Sequence, residues 1–388
     1  MKNIIAYDVE TTTFEKGSTY SQSNKLVYVG FYKDEQEYSL LPIEYDENPY
    51  GNALKTSQSI LDNCDLLVGF NLKFDIGWGK RYGLDFSNIR CWDCQLVHFM
   101  LQGQVDSYPS LNSVSEYYGL GNKLDEVKAY WEVGIDTPDI PKDILERYLK
   151  QDIKLTLEVY HKQLEEVNSK STAFKRLVSL HNQDLIVLQE IEYNGLLFDE
   201  GACLKQAEVL GKEIEELRAS LYASHSIPEF NTESGDHLSA LLYGGTIVIP
   251  RKEVVGVYKT GDRKGQEKLG WRDYSFYMPR LVKPLVGSEL KKEGYWATGA
   301  DVLKSLKPKG EAKKIVDTIL ELAKLEKIVS TYYLGLPALR EKMNWGVNML
   351  HGNLNQCVAR TGRLSSTKPN LQNISGDMKG VFGSRYAV

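Results

Sequence analysis

The sequence opens on Asn3-Ile4-Ile5-Ala6-Tyr7-Asp8-Val9-Glu10-Thr11-Thr12, and this stretch limits the fold more than any other. A short apolar run followed by a turn-prone polar cluster, here Thr11-Thr12-Thr13, predicts a buried strand. Side chains two apart on a strand share a face, so Asp8 and Glu10 leave the strand end side by side. Two adjacent carboxylates repel each other unless a hard cation sits between them, and their oxygens suit Mg2+ or Mn2+. A solvated strand end with two ordinary acids would carry the same letters.

The chain then alternates apolar runs with helical spacing. Lys25–Tyr32, Glu37–Leu41 and Asp65–Phe70 predict three more strands, with a helix through Ser57–Leu61 before the last of them. Ile144, Leu145, Tyr148, Leu149, Ile153 and Leu157 predict a helix over about 141–168, and Pro141 suits its start. This is α/β patterning. From 170 to 222 the spacing is helical throughout. Leu177, Leu180, Leu185, Leu188 and Ile191 read as one stripe, and Asn194-Gly195 ends that helix. Residues 244–296 are rich in Gly, Lys, Arg, Tyr and Trp with short-range alternation, which predicts a β-rich or loop-like basic insertion. A long helix returns over 311–334. After Trp345 the sequence is strand-like and loop-like to Tyr386-Ala387-Val388.

With 388 residues the chain is too long for one compact core. No apolar run reaches the roughly 20 residues of a membrane span. Met1-Lys2-Asn3 leads directly into the first strand, so no signal peptide is expected. Five cysteines without regular spacing suggest a reduced, cytoplasmic setting. Cys91-Trp92-Asp93-Cys94 lacks a second pair for zinc and reads as core. The net charge of −5 hides an asymmetry: residues 1–166 hold 16 basic and 27 acidic residues, whereas 251–314 hold 16 basic and 8 acidic. An acidic part joined to a basic part fits a metal-dependent enzyme acting on a polyanion, and it fits two solvated surfaces equally.

Two later stretches extend the opening one. In Asn71-Leu72-Lys73-Phe74-Asp75, Asn71 sits where a strand hands over to a helix and Asp75 one turn on. In Tyr148-Leu149-Lys150-Gln151-Asp152, Tyr148 and Asp152 share a helix face. Four carboxylates and a phenol from three segments suit a two-metal site for in-line phosphoryl displacement, with the phenol orienting the attacking water.

These three stretches resemble the motifs of the DEDD 3′→5′ exonucleases, the proofreading domains of DNA polymerases, in the subgroup with tyrosine in the third motif. The resemblance implies that Asp8, Glu10, Asp75 and Asp152 bind two Mg2+ or Mn2+ ions, that Tyr148 orients water, and that Thr11 and Asn71 contact the substrate. A second resemblance covers Ala359-Arg360-Thr361-Gly362-Arg363-Leu364-Ser365-Ser366-Thr367-Lys368-Pro369-Asn370-Leu371-Gln372-Asn373-Ile374. It is similar to the primer–template motif of family A (DNA polymerase I-like) polymerases, in a bacteriophage style. Arg360, Thr361, Arg363, Ser365, Ser366 and Lys368 would meet phosphates, and Asn370, Gln372 and Asn373 the minor groove, where acceptors occur at every base pair. Asn231–Leu238 and Leu325–Tyr333 are similar to that family's thumb.

The resemblances imply an α/β ribonuclease H-like exonuclease domain (1–165), a mainly α-helical thumb (166–340) with a basic insertion at about 244–300, and an incomplete α+β palm (341–388). The fingers and the polymerase metal site of the family have no counterpart before Val388. The expected function is therefore that of the 3′→5′ proofreading exonuclease and primer–template grip of a split or truncated family A DNA polymerase. The expected partners are DNA, as a single-stranded 3′ end and as duplex, and a second polymerase chain completing the palm. The alternatives are a free-standing exonuclease and an inactive DNA-binding remnant. The basic insertion reads as a DNA-tracking surface, a docking site for a processivity partner, or a solvated insertion.

Overall fold

The computed structural model describes residues 3–33, 37–45, 51–121, 126–374 and 376–383. In chain order the strands and helices are β1 (Ile4–Thr11), β2 (Leu26–Lys33), β3 (Glu37–Pro42), α1 (Gly51–Asp62), β4 (Leu66–Gly69), α2 (Leu72–Arg81), β5 (Cys91–Asp93) and α3 (Cys94–Leu101). Next come α4 (Leu111–Tyr117), α5 (Glu126–Glu132), α6 (Lys142–Ser169), α7 (Thr172–Asn194), β6 (Leu196–Phe198), α8 (Glu200–His225), α9 (Gly235–Tyr243), β7 (Gly245–Val257) and β8 (Glu267–Met278). Last are α10 (Ala300–Ser305), α11 (Gly310–Ile328), α12 (Gly335–Met343), β9 (Met349–Leu350), β10 (Asn353–Asn355), β11 (Ser365–Thr367) and β12 (Phe382–Gly383). The end of the expected palm, 384–388, lies outside the described residues.

The chain divides into two compact units, one of residues 1–200 with 336–388 and one of 201–335. These limits differ from the stretches expected at 165/166 and 340/341. The reason is packing: Val178 and Leu185 of α7 and Cys357 are buried in the same core as β1 and α2, so neither α7 nor the last third of the loop-rich sequence stands apart.

The first unit is built on a five-stranded sheet of order β3-β2-β1-β4-β5. Strand β1 is central, antiparallel to β2 and parallel to β4. Its alternating side chains fill two cores. Ile5, Tyr7 and Val9 join Leu72, Ile76 and Trp78 of α2. Ala6 joins Tyr28, Val68 and the α6 residues Leu145, Leu149 and Ile153. The even positions of β1, Asp8 and Glu10 among them, therefore point to the α6 side of the sheet. Gly30 lies opposite Asp8 in the ladder. A Cβ on Gly30 would meet Leu149 Cγ at 2.9 Å, so glycine there lets α6 lie close over the strand that bears Asp8.

The second unit is helical except for β7 and β8. Leu221, Leu238, Leu241, Leu242, Ile315 and Ile319 form its main core from α8, α9 and α11. Helix α11 is continued by a π-helical turn, Val329–Tyr333, where one long helix was expected. The basic insertion is a long antiparallel hairpin of β7 and β8.

The expected α7 stripe is two faces rather than one. Leu185 and Leu188 are buried with Val178, Gln189 and Glu192, whereas Leu177, Leu180 and Ile191 are exposed. At about 100° per residue, positions 177, 180, 187 and 191 recur on the opposite side from 178, 185 and 192. The five cysteines are thiols rather than disulfides, with Cys94 buried and Cys91 half-buried. No helix among the described residues is long and apolar enough to cross a membrane.

Candidate active site

Parallel pairing of Ile4 with Leu66 through Ala6 with Val68 brings the C-terminal ends of β1 and β4 together. β1 continues to Asp8 and Glu10. β4 gives way at Asn71, whose left-handed φ of 62° turns the chain into α2. Asparagine tolerates that conformation better than most side chains. Asp75 lies in the first turn of α2, where the helix dipole favours a carboxylate.

Asp75 is buried. Burial first, and the nearby charges of Asp8 and Asp93 next, push its carboxyl well above the usual carboxylate range. The Asp8 side chain lies within hydrogen-bond reach of Asp75 and adds to that rise. Asp75 Oδ2 is a buried acceptor with no hydrogen-bond partner. Beneath the pair, the Tyr7 hydroxyl donates to the Asp75 carbonyl at 3.2 Å.

Glu10 is buried on the face it shares with half-buried Asp8. On α6, Tyr148 and Asp152 are buried one turn apart. The Tyr148 ring meets Trp131 edge-on, with centroids 6.2 Å apart. Thr11 is half-buried and its hydroxyl donates to the Thr12 carbonyl, whereas Asn71 is exposed and its side chain makes no cap to α2.

The expected ligands are thus gathered unevenly. Asp8 and Asp75 touch, but no group of three or more His, Cys, Asp or Glu among the described residues stands at metal-holding spacing. The pair itself fits a cation: Asp75 Oδ2 is a buried acceptor without a hydrogen-bond partner, and the Asp8 charge beside it raises the Asp75 carboxyl.

Sequence reading missed three supporting residues. Asp93, inside the Cys-Trp-Asp-Cys stretch, accepts from Leu96 N at 3.0 Å and from Leu72 N at 2.7 Å. One carboxylate thereby caps α3 and fixes the start of α2, the helix that carries Asp75. Glu192 accepts from Lys73 Nζ at 2.6 Å, and Lys73 also donates to the Leu354 carbonyl at 2.6 Å. Burial raises the Glu192 carboxyl, against the opposing pull of Lys73 and the Leu354 amide. Its signal was helical phase, because position 192 falls on the buried face with 185, 188 and 189. Gly30 carried no signal, since its role depends on where Leu149 lies.

Beside the first turn of α2 is a cavity of about 440 Å3, lined by Asn71, Phe74, Tyr20, His351, Asn355 and Lys368 among others. Tyr20 stacks on His351 with centroids 4.3 Å apart. Trp345, also lining it, has a buried indole N–H without a partner.

The 359–374 stretch folds around β10 and β11, which pair Asn353 with Thr367. Arg360, Thr361 and Arg363 are exposed in the connecting loop, and Gly362 turns it with φ of 72°. Ser365 is half-buried. Ser366 is buried, donating to the Pro369 carbonyl at 3.2 Å and accepting from Leu371 N at 3.0 Å, so its hydroxyl holds the loop together. Lys368 is exposed and pairs with Glu15 at 3.5 Å. Asn370, Gln372 and Asn373 are exposed. The Asn370 side chain accepts from Gln372 N at 3.1 Å, and Gln372 Nε2 donates to the Leu364 carbonyl at 3.1 Å.

Residues 278–385 match the family model described as DNA polymerase family A. Over 96% of its length the chain is 24% identical to DNA polymerase I of Pseudomonas aeruginosa, covering 36% of that protein. It is 27% identical to DNA polymerase I of Bacillus subtilis over 69% of the chain and 25% of the relative. Over 94 residues, 24% of the chain and 10% of the relative, it is 44% identical to the thermostable DNA polymerase I of Thermus thermophilus. The chain spans about a third of the length of the Pseudomonas protein and a quarter of the Bacillus one. Its fold is like that of the POL domain of Pol1 from M. smegmatis, solved in complex with DNA primer-template and dNTP. The TM-score is 0.62 at 16% identity, covering 96% of this chain and 52% of that one.

Proposed function

Starting from this similarity to DNA polymerase I-like proteins, we propose that the chain is a 3′→5′ DNA exonuclease joined to a primer–template grip, acting by two-metal phosphodiester hydrolysis. The observation that carries the reading is buried Asp75, in the first turn of α2, set beside half-buried Asp8 where the ends of β1 and β4 come together. Mixed sheet order β3-β2-β1-β4-β5 with α6 packed over the Asp8 face supports a ribonuclease H-like assignment.

Asp8, Glu10, Asp75 and Asp152 would hold two divalent cations, Mg2+ or Mn2+. When bound, such ions supply a nucleophilic hydroxide and stabilise the departing 3′ oxygen. Tyr148 holds the attacking water through its phenol oxygen. Asp93 fixes α2 and so keeps Asp75 against Asp8. Asn71 and Thr11 orient the terminal nucleotide, and the cavity beside Asn71 and Phe74 offers room for the strand that leads to it. Arg360, Thr361, Arg363 and Lys368 neutralise phosphates, while Asn370, Gln372 and Asn373 reach the minor groove. Ser366 positions that loop through its bonds to the Pro369 carbonyl and Leu371 N.

The test is incubation of a 5′-labelled single-stranded oligonucleotide with Mg2+ and with EDTA, beside primer extension with all four nucleotides. Stepwise shortening that EDTA abolishes is expected, and an Asp8→Ala/Glu10→Ala variant should lose it. Equal shortening by that variant overturns the assignment.

A further inference from the structure

Among the described residues, strands β7 and β8 form a two-stranded ribbon with no third strand in its sheet. The register pairs Thr246 with Tyr277, Val248 with Ser275, Pro250 with Asp273, Lys252 with Trp271 and Val254 with Leu269. Alternation sends these five pairs to one face.

The opposite face is satisfied from within the unit. At its base Ile247 and Ile249 are buried against Ile227 and Ala240, with Phe230 and Phe276 packed beside them. Further out, Arg251 and Arg272 flank the Tyr274 ring at 4.9 and 6.0 Å. Tyr274 donates to Glu253 at 2.6 Å, and Arg251 pairs with Glu229 at 3.1 Å. The five-pair face has no such cover. Val248, Val254 and Leu269 are exposed on it, Trp271 is 70% exposed and Tyr277 78%. An apolar, aromatic face of this extent on one ribbon marks an interaction surface.

Charge and strand-edge chemistry select the occupant. The ribbon, residues 245–278, carries 7 basic and 4 acidic residues; exposed Lys259, Arg263 and Lys264 sit at its tip, and the open face itself carries Lys252 and Asp273. A polyanion complements that surface. Both ribbon edges are open, but Arg251, Lys252, Lys268 and Arg272 punctuate them, and such charges oppose strand addition by another chain. Trp271 and Tyr277 stand six residues apart on one face, roughly 20 Å at about 3.4 Å per residue, with Lys252 directly across from Trp271. Flat rings spaced along a ribbon with a basic tip bind unpaired bases, whereas a duplex offers no open base faces.

We propose that this face of the β7–β8 ribbon is a platform for single-stranded nucleic acid. Bases stack on Trp271 and Tyr277, and Lys252 and the tip cations Lys259, Arg263 and Lys264 meet phosphates. The site goes beyond the nuclease reading, and it lies almost wholly outside the family-matched segment, which begins at residue 278.

The experiment is fluorescence anisotropy of a labelled (dT)20 strand with the full chain in EDTA, where no metal-dependent cleavage occurs. Trp271→Ala/Tyr277→Ala should bind at least about tenfold more weakly, with Trp271→Phe retaining most of the affinity. Lys252→Gln should lower the slope of log affinity against log salt by about one. Because both rings are exposed, an unchanged thermal unfolding curve certifies that the double variant is folded. Parent-like affinity in the double variant overturns the proposal, as does a parent that does not bind the strand. Sedimentation showing a dimer that the double variant loses, with strand binding unaltered, overturns it in favour of a second copy of this chain. Cleavage by the parent reports on the carboxylates and anisotropy in EDTA on the ribbon, so the two readings fail separately.

Discussion

The Asp8–Asp75 pair and the β7–β8 ribbon solve opposite problems. At the first, charge is taken into the core: Asp75 is 2% exposed and Glu10 6%. At the second, apolar surface is pushed into water, with Trp271 70% exposed. Each arrangement is costly by itself. A buried like-charge pair is relieved by a proton or a cation, and an exposed aromatic face by a flat partner. The two regions share a logic in which a local cost points to a missing ligand, and they differ in what the ligand must be.

The largest expected effect breaks the first region. Asp8→Ala should lower metal-dependent shortening of a DNA strand by at least about a hundredfold. The same change should not destabilise the metal-free protein, since it removes one of two repelling carboxyls. Asp75→Asn should raise the melting temperature in EDTA for the same reason. A clear drop in either melting temperature would mean that the pair is a structural element.

Glu192→Ala comes next. It leaves Lys73 without its buried partner and should cost about 3–5 kcal/mol, measured by denaturant unfolding followed through the first unit's tryptophans. Replacing Glu192 by Gln should recover part of that loss, because an amide oxygen still accepts from Lys73 and Leu354 N.

Gly30→Ala should cost about 1–3 kcal/mol by forcing Leu149 away from the sheet. If α6 positions Tyr148 and Asp152, nuclease activity should fall along with stability. Normal activity in a destabilised Gly30→Ala protein would separate the helix position from the chemistry.

The smallest effect sharpens the contrast. Trp271→Ala should change unfolding by no more than about 0.5 kcal/mol, as for most exposed side chains. A larger loss would mean that the ribbon face contributes to its own fold rather than waiting for a partner. Between the two extremes, Mg2+ should raise the melting temperature of the parent and leave Asp8→Ala unmoved, as expected for a ligand that binds only the native pair.

The sequence by itself determined the elements that depend on local pattern. A short apolar run ended by a polar cluster located β1, and acids at i and i+2 placed Asp8 and Glu10 on one face. Spacing of 3.6 located α6 and put Tyr148 and Asp152 together. Asn194-Gly195 ended α7 because glycine adopts the φ of 61° found there. Only the tertiary structure decided which of those faces is inside. It split Leu177, Leu180 and Ile191 from Leu185 and Leu188, bonded the Ser366 hydroxyl within its own loop, and made the hairpin's second face an open one. It also joined Asp8 to Asp75 across 67 positions while leaving the four acids short of a ready-made cage. Periodicity fixes a side chain's angle about its own axis, and burial depends on what the rest of the chain brings to that angle. Gly30 makes the point at one residue: its importance is a Leu149 side chain, 2.9 Å from where a Cβ would stand.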